Sequence, residues 1–195
     1  MPPRDCFAIM AGWPLPLLPL QILWLDMLTD IFPALALALD PSSPDSMRVP
    51  PRDPTLPILS KRFVIMIAWQ GLLLAAVTLG AFVIGLERHG DTGAGLRQAG
   101  TMAFMTLALS PLLHAFNVRS QGQSIFTGRL FTNGWLWAAV IVCLGVQAAA
   151  VCVPGLQRVL QTVPLAGDDW LVVGAAALLP VLVVEGAKLA RRVRS

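Results

Sequence analysis

Two carboxylates and a hydroxyl lie close together inside one apolar stretch of the chain. Asp26 and Asp30 are four residues apart, so a helix carries both on one face, and Thr29 lies on the same side. An ionisable group at membrane depth costs about 2.5–3.5 kcal/mol or more, and such groups usually mark an ion or proton pathway. Oxygen ligands of this kind suit dehydrated Ca²⁺, Mg²⁺ or Na⁺. Asp26, Thr29 and Asp30, the ligand triad, therefore predict a cation site.

A proline follows the ligand triad and strengthens this interpretation. Pro33 lacks an amide donor, so it predicts a helix break and frees a backbone carbonyl near Asp30 as a further oxygen ligand. In the alternative interpretation, Asp26 is solvated near the membrane interface and Asp30 only bonds a neighbour, so neither residue binds an ion.

A second candidate lies in a later apolar stretch. Ser110 and His114 are one turn apart and could add minor cation ligands. A single histidine on an apolar helix, however, more often packs through a hydrogen bond than binds a ligand. The chain carries no Gly-x-Ser-x-Gly motif, no His-Glu-x-x-His motif and no phosphate-binding loop, so no catalytic or nucleotide-binding residue is predicted.

The composition indicates a membrane protein. The chain has 195 residues, of which 56% are hydrophobic and only 13% charged, and its mean hydropathy is +0.71. Soluble domains contain about 25% charged residues, and disordered chains are far less apolar. The net charge of +3 does not indicate nucleic-acid binding, because the 14 Lys and Arg residues are spread between apolar runs and form no stripe.

Five apolar stretches are each about long enough to cross a bilayer, whose hydrocarbon core takes about 20 helical residues. They cover residues 20–39, 63–86, 99–116, 135–153 and 170–190. Prolines at 14, 16 and 19 separate the first stretch from a short apolar stub, and residues 40–62 form a polar, proline-rich loop. Pro154 and Gly155 close the fourth stretch, and residues 157–169 are predicted as a loop. The predicted fold is an all-α bundle of about five transmembrane helices.

The basic residues predict how this bundle is oriented. If the loops alternate between the two sides of the membrane, ten Lys and Arg residues share a side with the 40–62 loop and four lie opposite. Cytoplasmic loops are enriched in Lys and Arg. The C-terminus is therefore predicted to be cytoplasmic, in an integral protein of a bacterial plasma membrane.

The stretch that carries the ligand triad resembles the sixth transmembrane helix of P-type cation-transporting ATPases, the group of the calcium and sodium/potassium pumps. It reads Pro-Leu-Leu-Pro-Leu-Gln-Ile-Leu-Trp-Leu-Asp-Met-Leu-Thr-Asp-Ile-Phe-Pro-Ala-Leu-Ala-Leu-Ala over residues 16–38. Residues 47–52 are similar to the cytoplasmic loop after that helix, residues 100–103 to the start of helix eight, and residues 185–188 to the end of helix ten. The resemblance covers nearly the whole chain.

The resemblance implies roles for individual residues. In the family, helix six supplies cation ligands at the positions of the ligand triad. Calcium pumps usually have Asn at the position of Asp26, whereas sodium/potassium pumps have Asp. Ile31 stands where glycine is frequent, and Pro111 stands where calcium pumps of the sarcoplasmic type carry an acidic ligand. The implied transported cation is Ca²⁺ ahead of Mg²⁺, Na⁺ or H⁺, and no other cofactor is expected in this chain alone.

The resemblance also implies what this chain does not do alone. The family's phosphorylation motif, Asp-Lys-Thr-Gly-Thr, does not occur in it. Residues 1–19 correspond to a remnant of helix five with an external loop, and residues 20–195 to the C-terminal transport domain. ATP and Mg²⁺ would act only on the nucleotide-binding and actuator domains, so no ATP hydrolysis is expected from a chain that is a fragment, a split product or a decayed copy.

The expected partners follow from this assignment. They are the lipid bilayer and the N-terminal part of the same pump, with helices one to five and the cytoplasmic domains, and nucleic acid is not among them. The competing interpretation is a free-standing, non-enzymatic membrane protein, an ion-conducting or accessory subunit that uses Asp26 and Asp30 for passive ion passage or docking.

Overall fold

A computed structural model describes residues 17–38, 61–119 and 134–193. These residues form helices joined by short turns, and no strand occurs in the ranges described. The helices are α1 (Pro19–Leu25), a π-helical turn (Asp26–Asp30, the π segment), α2 (Ile31–Ala38), α3 (Lys61–His89), α4 (Gly93–Arg119), α5 (Gly134–Cys152), α6 (Pro154–Leu160) and α7 (Gly167–Val193). The all-α class predicted from the sequence is confirmed.

The distribution of apolar side chains is that of a membrane domain. Ile65 and Leu72 of α3 are 68% and 69% exposed, and Leu171 of α7 is 73% exposed, whereas Ser110 and Gln147 are completely buried. Water would penalise such an apolar surface, but lipid tails would not. By length and composition, α3 over Phe63–His89 and α7 over Gly167–Gly186 can cross a membrane, and α5 with α6 passes the same test as a bent pair. The number of five spans stays a prediction.

Helix α4 lies at the centre of the domain. All eight residues of Thr101–Ala108 are buried, so this part of the helix is enclosed on every side. Helices α3 and α7 both pack along α4. Leu25 of α1 joins a core cluster with Met102, Met105 and Val151, so the helix with the ligand triad is packed on α4 and α5.

The connection between α5 and α7 differs from the loop predicted at 157–169. Pro154 begins helix α6, which is bent by 85° from α5, and α7 begins at Gly167. Proline suits the first turn of a helix because its missing N–H would have no partner there. The Thr162 hydroxyl donates to the Ala150 carbonyl at 2.6 Å and folds the connection back onto α5. The predicted loop is therefore wrong at both of its ends.

Gly85 permits a close approach of α3 to α4. A Cβ atom at this position would lie 2.7 Å from Ala99 Cα and 2.9 Å from Ala99 Cβ. We expect Gly85→Ala to destabilise the domain by about 1–3 kcal/mol, because the two backbones must move apart. The matched control is Gly80→Ala on the same helix, since no atom among the described residues lies within 4 Å of a Cβ built there. Thermal unfolding in detergent measures both variants, and equal midpoints for the two would contradict this packing.

Candidate cation site

The ligand triad lies entirely within the π segment. A π-helical turn pairs each N–H with the carbonyl five residues back instead of four, and such turns are frequent at functional sites. The backbone returns to an α-helix at Ile31 and stays helical through Pro33 to Ala38. The helix break predicted at Pro33 is therefore corrected to a widened turn that ends before the proline. The physical reason is that widening relieves the clash between the proline ring and the preceding turn without ending the helix.

The structure defines the members of the ligand triad to different extents. The Asp26 side chain is exposed on the surface of the domain. The side chains of Thr29, Asp30 and Pro33 lie outside the described part of the chain, although their backbone is described. Among the described side chains, no three His, Cys, Asp or Glu residues gather in a group that could hold a metal ion. The role of the ligand triad as cation ligands stays a prediction.

Two buried side chains of α5 bond to the helix that carries the ligand triad. The Cys143 thiol donates to the Leu28 carbonyl within the π segment, with Sγ 3.1 Å from the oxygen. The indole N–H of Trp24, which lies two residues before the π segment, donates to Gln147 Oε1 at 3.2 Å. Cys143 and Gln147 are both 0% exposed and four residues apart, so they occupy one face of α5.

The apolar sequence around Cys143 predicts only a small buried hydrophobic residue at this position. Its burial is confirmed, but its contact with the π segment was missed. Gln147 was missed altogether. The available signal was the four-residue spacing of two polar side chains on a helix that is otherwise apolar from 138 to 152.

The start of α1 is anchored by Gln21, which is 3% exposed. Its Oε1 accepts the Leu18 N–H at 3.0 Å, and its Nε2 donates to the Leu160 carbonyl at 2.8 Å. The first bond caps the start of α1, and the second ties it to the end of α6. The ligand triad is therefore carried by a helix that is tethered on both sides of Leu25 to the α5–α6 pair.

The minor candidates receive little support. Ser110 is completely buried, and its hydroxyl donates to the Thr106 carbonyl of its own helix at 2.7 Å. Helix α4 contacts the π segment, but no described bond joins Ser110 to the ligand triad. The His114 side chain lies outside the described part of the chain. Both residues stay predictions as ligands.

A buried carboxylate joins three helices near the end of α3 at His89. Asp169 of α7 accepts from His89 Nε2 at 3.0 Å and from Gln98 Nε2 at 3.1 Å, and the Arg88 guanidinium lies 3.8 Å away. We call these four residues the Asp169 cluster. Because donors surround both carboxylate oxygens, the cluster is suited to holding α3, α4 and α7 together and not to binding a cation. The sequence analysis placed Asp169 in a loop and did not anticipate this cluster.

Comparison with known proteins assigns the family. The family described as "Cation transporting ATPase, C-terminus" matches residues 14–190. The chain belongs to this family. The resemblance that the sequence analysis drew from residues 16–38 is thereby confirmed for nearly the whole chain.

Curated relatives of this cation-transporting ATPase chain include bacterial and human proteins. It is 34% identical to calcium-transporting ATPase 1 of Bacillus cereus, over 95% of this chain and 22% of that protein. It is 33% identical to the calcium-transporting ATPase of Bacillus subtilis, over 95% of this chain and 20% of that protein. The human calcium-transporting ATPase type 2C member 2 is 32% identical over 92% of this chain and 19% of its own length.

The chain thus spans about a fifth of the length of the relatives it matches. It corresponds to the C-terminal membrane part of a P-type ATPase and does not include the catalytic domains.

Proposed function

We propose that this chain is the ion-translocating membrane domain of a P-type calcium pump and that the ligand triad supplies part of its intramembrane cation site. The observation that carries this proposal is the π segment. It contains Asp26, Thr29 and Asp30, and no other π-helical turn occurs among the residues that the structure describes. A widened turn next to a proline leaves carbonyl oxygens short of helical donors, and these oxygens can join the side chains around a cation.

The members of the ligand triad contribute different chemistry. Asp30 lies nearest to Pro33, and its negative charge offsets part of the hydration that a dehydrated cation loses. Thr29 adds a neutral oxygen. Asp26 is exposed in this chain, so helices from the N-terminal part of the pump would complete the coordination on that side. Two carboxylates favour a divalent cation, and the relatives reported above are named as calcium-transporting proteins.

The proposed topology has five spans with the C-terminus in the cytoplasm. Helices of 19 to 29 residues reach about 28–43 Å at 1.5 Å per residue, which matches the thickness of a bilayer. A reporter that is active only outside the cytoplasm should be inactive when fused after Arg194 and active when inserted at Gly90. The opposite pattern in bacterial cells would refute the proposed orientation.

The proposal is tested by restoring a complete pump. The segment of the Bacillus subtilis relative that aligns with this chain is replaced by this chain, and the chimera is purified in detergent. Ca²⁺-dependent incorporation of phosphate from labelled ATP, quenched in acid, is the expected result. A chimera that inserts and stays monodisperse but shows no Ca²⁺ dependence would contradict the proposal and favour a non-enzymatic role. The chain without the rest of the pump should show no incorporation.

A further inference from the structure

Pro33 removes one backbone donor from the part of the helix that follows the ligand triad. In an α-helix, the Thr29 carbonyl would accept from residue 33, and in a π-helical turn the Leu28 carbonyl would accept from the same residue. Position 33 is proline, so neither bond can form. A carbonyl without a partner inside a membrane domain is costly, so another group must satisfy it or the turn will shift.

Helix α5 supplies a donor to the Leu28 carbonyl from outside the helix. The Cys143 thiol donates to the Leu28 carbonyl over 3.1 Å, across 115 residues of sequence. Cys143 is completely buried, so water does not compete for this bond. The bond can hold the widened turn in place immediately before Thr29 and Asp30.

Gln147 makes a second connection one turn further along α5. Its Oε1 accepts the Trp24 indole N–H, which sets the rotation of α1 just before Asp26. Its Nε2 has no hydrogen-bond partner among the described residues, although the side chain is 0% exposed. A buried amide with an unused donor is costly, and an apolar side chain would fill the same space without that cost. Packing alone therefore does not explain an amide at position 147, whereas its hydrogen bond to Trp24 does.

We infer that Cys143 and Gln147 are positioning residues of the cation site, which hold the π segment in place through the Leu28 carbonyl and the Trp24 indole. This inference rests on the proposed function for the ligand triad itself. Neither residue is proposed to touch the cation. Their contribution is to keep the turn widened at Asp26–Asp30, so that the ligand oxygens need no reorganisation when the cation arrives.

The first test measures cation affinity in the chimeric pump. We expect Cys143→Ala to raise the Ca²⁺ concentration for half-maximal phosphorylation about three- to tenfold, the effect of losing one buried hydrogen bond, with the maximal level unchanged. Cys143→Ser keeps a donor and should restore the affinity. Gln147→Leu should also raise the Ca²⁺ requirement. The control is Cys152→Ala on the same helix, because Cys152 is exposed and should leave the affinity unchanged.

The second test uses the purified chain without cation or ATP. Hydrogen exchange of a peptide covering residues 26–34 should be about three- to tenfold faster in Cys143→Ala than in Cys152→Ala, and Cys143→Ser should match the wild type. A peptide covering residues 85–99 should exchange equally in all variants. A Cys143→Ala variant that lowers the maximal phosphorylation, exchanges faster everywhere and keeps its affinity would show a purely structural role and overturn the inference.

The two proposals can fail separately. If Asp30→Asn leaves the Ca²⁺ dependence of the chimera intact, the site assignment is wrong whatever Cys143 does. If Asp30→Asn abolishes that dependence while Cys143→Ala behaves like Cys152→Ala in both tests, only the positioning role is wrong.

Discussion

Asp30→Asn should abolish Ca²⁺-dependent phosphorylation in the chimeric pump. The amide is nearly isosteric with the carboxylate, so the change removes charge with little effect on packing. A cation that leaves water for a membrane interior loses a large hydration energy, and a nearby negative charge must offset most of it. Asp30 is the last residue of the π segment and lies three residues before Pro33.

The other two members of the ligand triad should respond differently. Thr29→Ala removes only a neutral oxygen, so we expect a smaller loss of cation affinity. Asp26→Asn should change the selectivity among cations more than the turnover, because Asp26 is exposed at the start of the π segment and the resemblance places an amide there in calcium pumps. Phosphorylation measured against Ca²⁺, Mg²⁺ and Na⁺ concentration separates these effects. Equal cation affinity in the wild type and in Asp30→Asn would instead support a structural role for the two carboxylates.

Asp169→Leu should destabilise the domain by about 2–4 kcal/mol. Removing one partner of a fully buried ion pair typically costs about 3–5 kcal/mol, because the remaining polar groups stay desolvated. The cost here is lower because the Arg88 side chain is 44% exposed and His89 is 28% exposed, so both can reach water. Gln98 would lose its acceptor without the same compensation. Thermal or denaturant unfolding of the purified chain in detergent measures the effect.

The neighbouring residue supplies the control for this prediction. Asp168 lies in the same first turn of α7 but is exposed. Asp168→Leu should therefore cost only the interaction of one carboxylate with the start of the helix, about 0.5 kcal/mol. If the two variants lose the same stability, the Asp169 cluster does not hold α3, α4 and α7 together.

The sequence predicted the parts of this protein that depend on local pattern. Long apolar runs identify the helices, because a helix of about 20 apolar residues spans the hydrocarbon core and forms all of its backbone hydrogen bonds internally. The family was predicted from the resemblance of residues 16–38, which carry the ligand triad and Pro33, to helix six of P-type cation-transporting ATPases. The comparisons confirm the family, and the ligand roles stay a prediction.

The effect of proline on the helices was only partly predicted from the sequence. A helix break was predicted at Pro33, yet the chain remains helical through it. Helix α5 ends at Cys152, within one residue of its predicted end, but the new helix that begins at Pro154 was not predicted. The rule that proline lacks a donor holds at both sites. The consequence of the missing donor depends on the neighbouring helices. When they pack against the segment, a widened turn or a bend can accommodate the loss of one backbone hydrogen bond without ending the helix.

Only the tertiary structure decided which polar groups meet. Cys143 bonds to Leu28 across 115 residues, Trp24 to Gln147 across 123, and His89 to Asp169 across 80. Such contacts depend on the relative rotation and depth of packed helices, which close approaches such as Gly85 against Ala99 help to set. Periodicity along one helix contains no information about its rotation against another. The sequence therefore predicted the class, the family and the candidate ligands, and the packing of α1 against α4 and α5 decided how the helix that carries them is held.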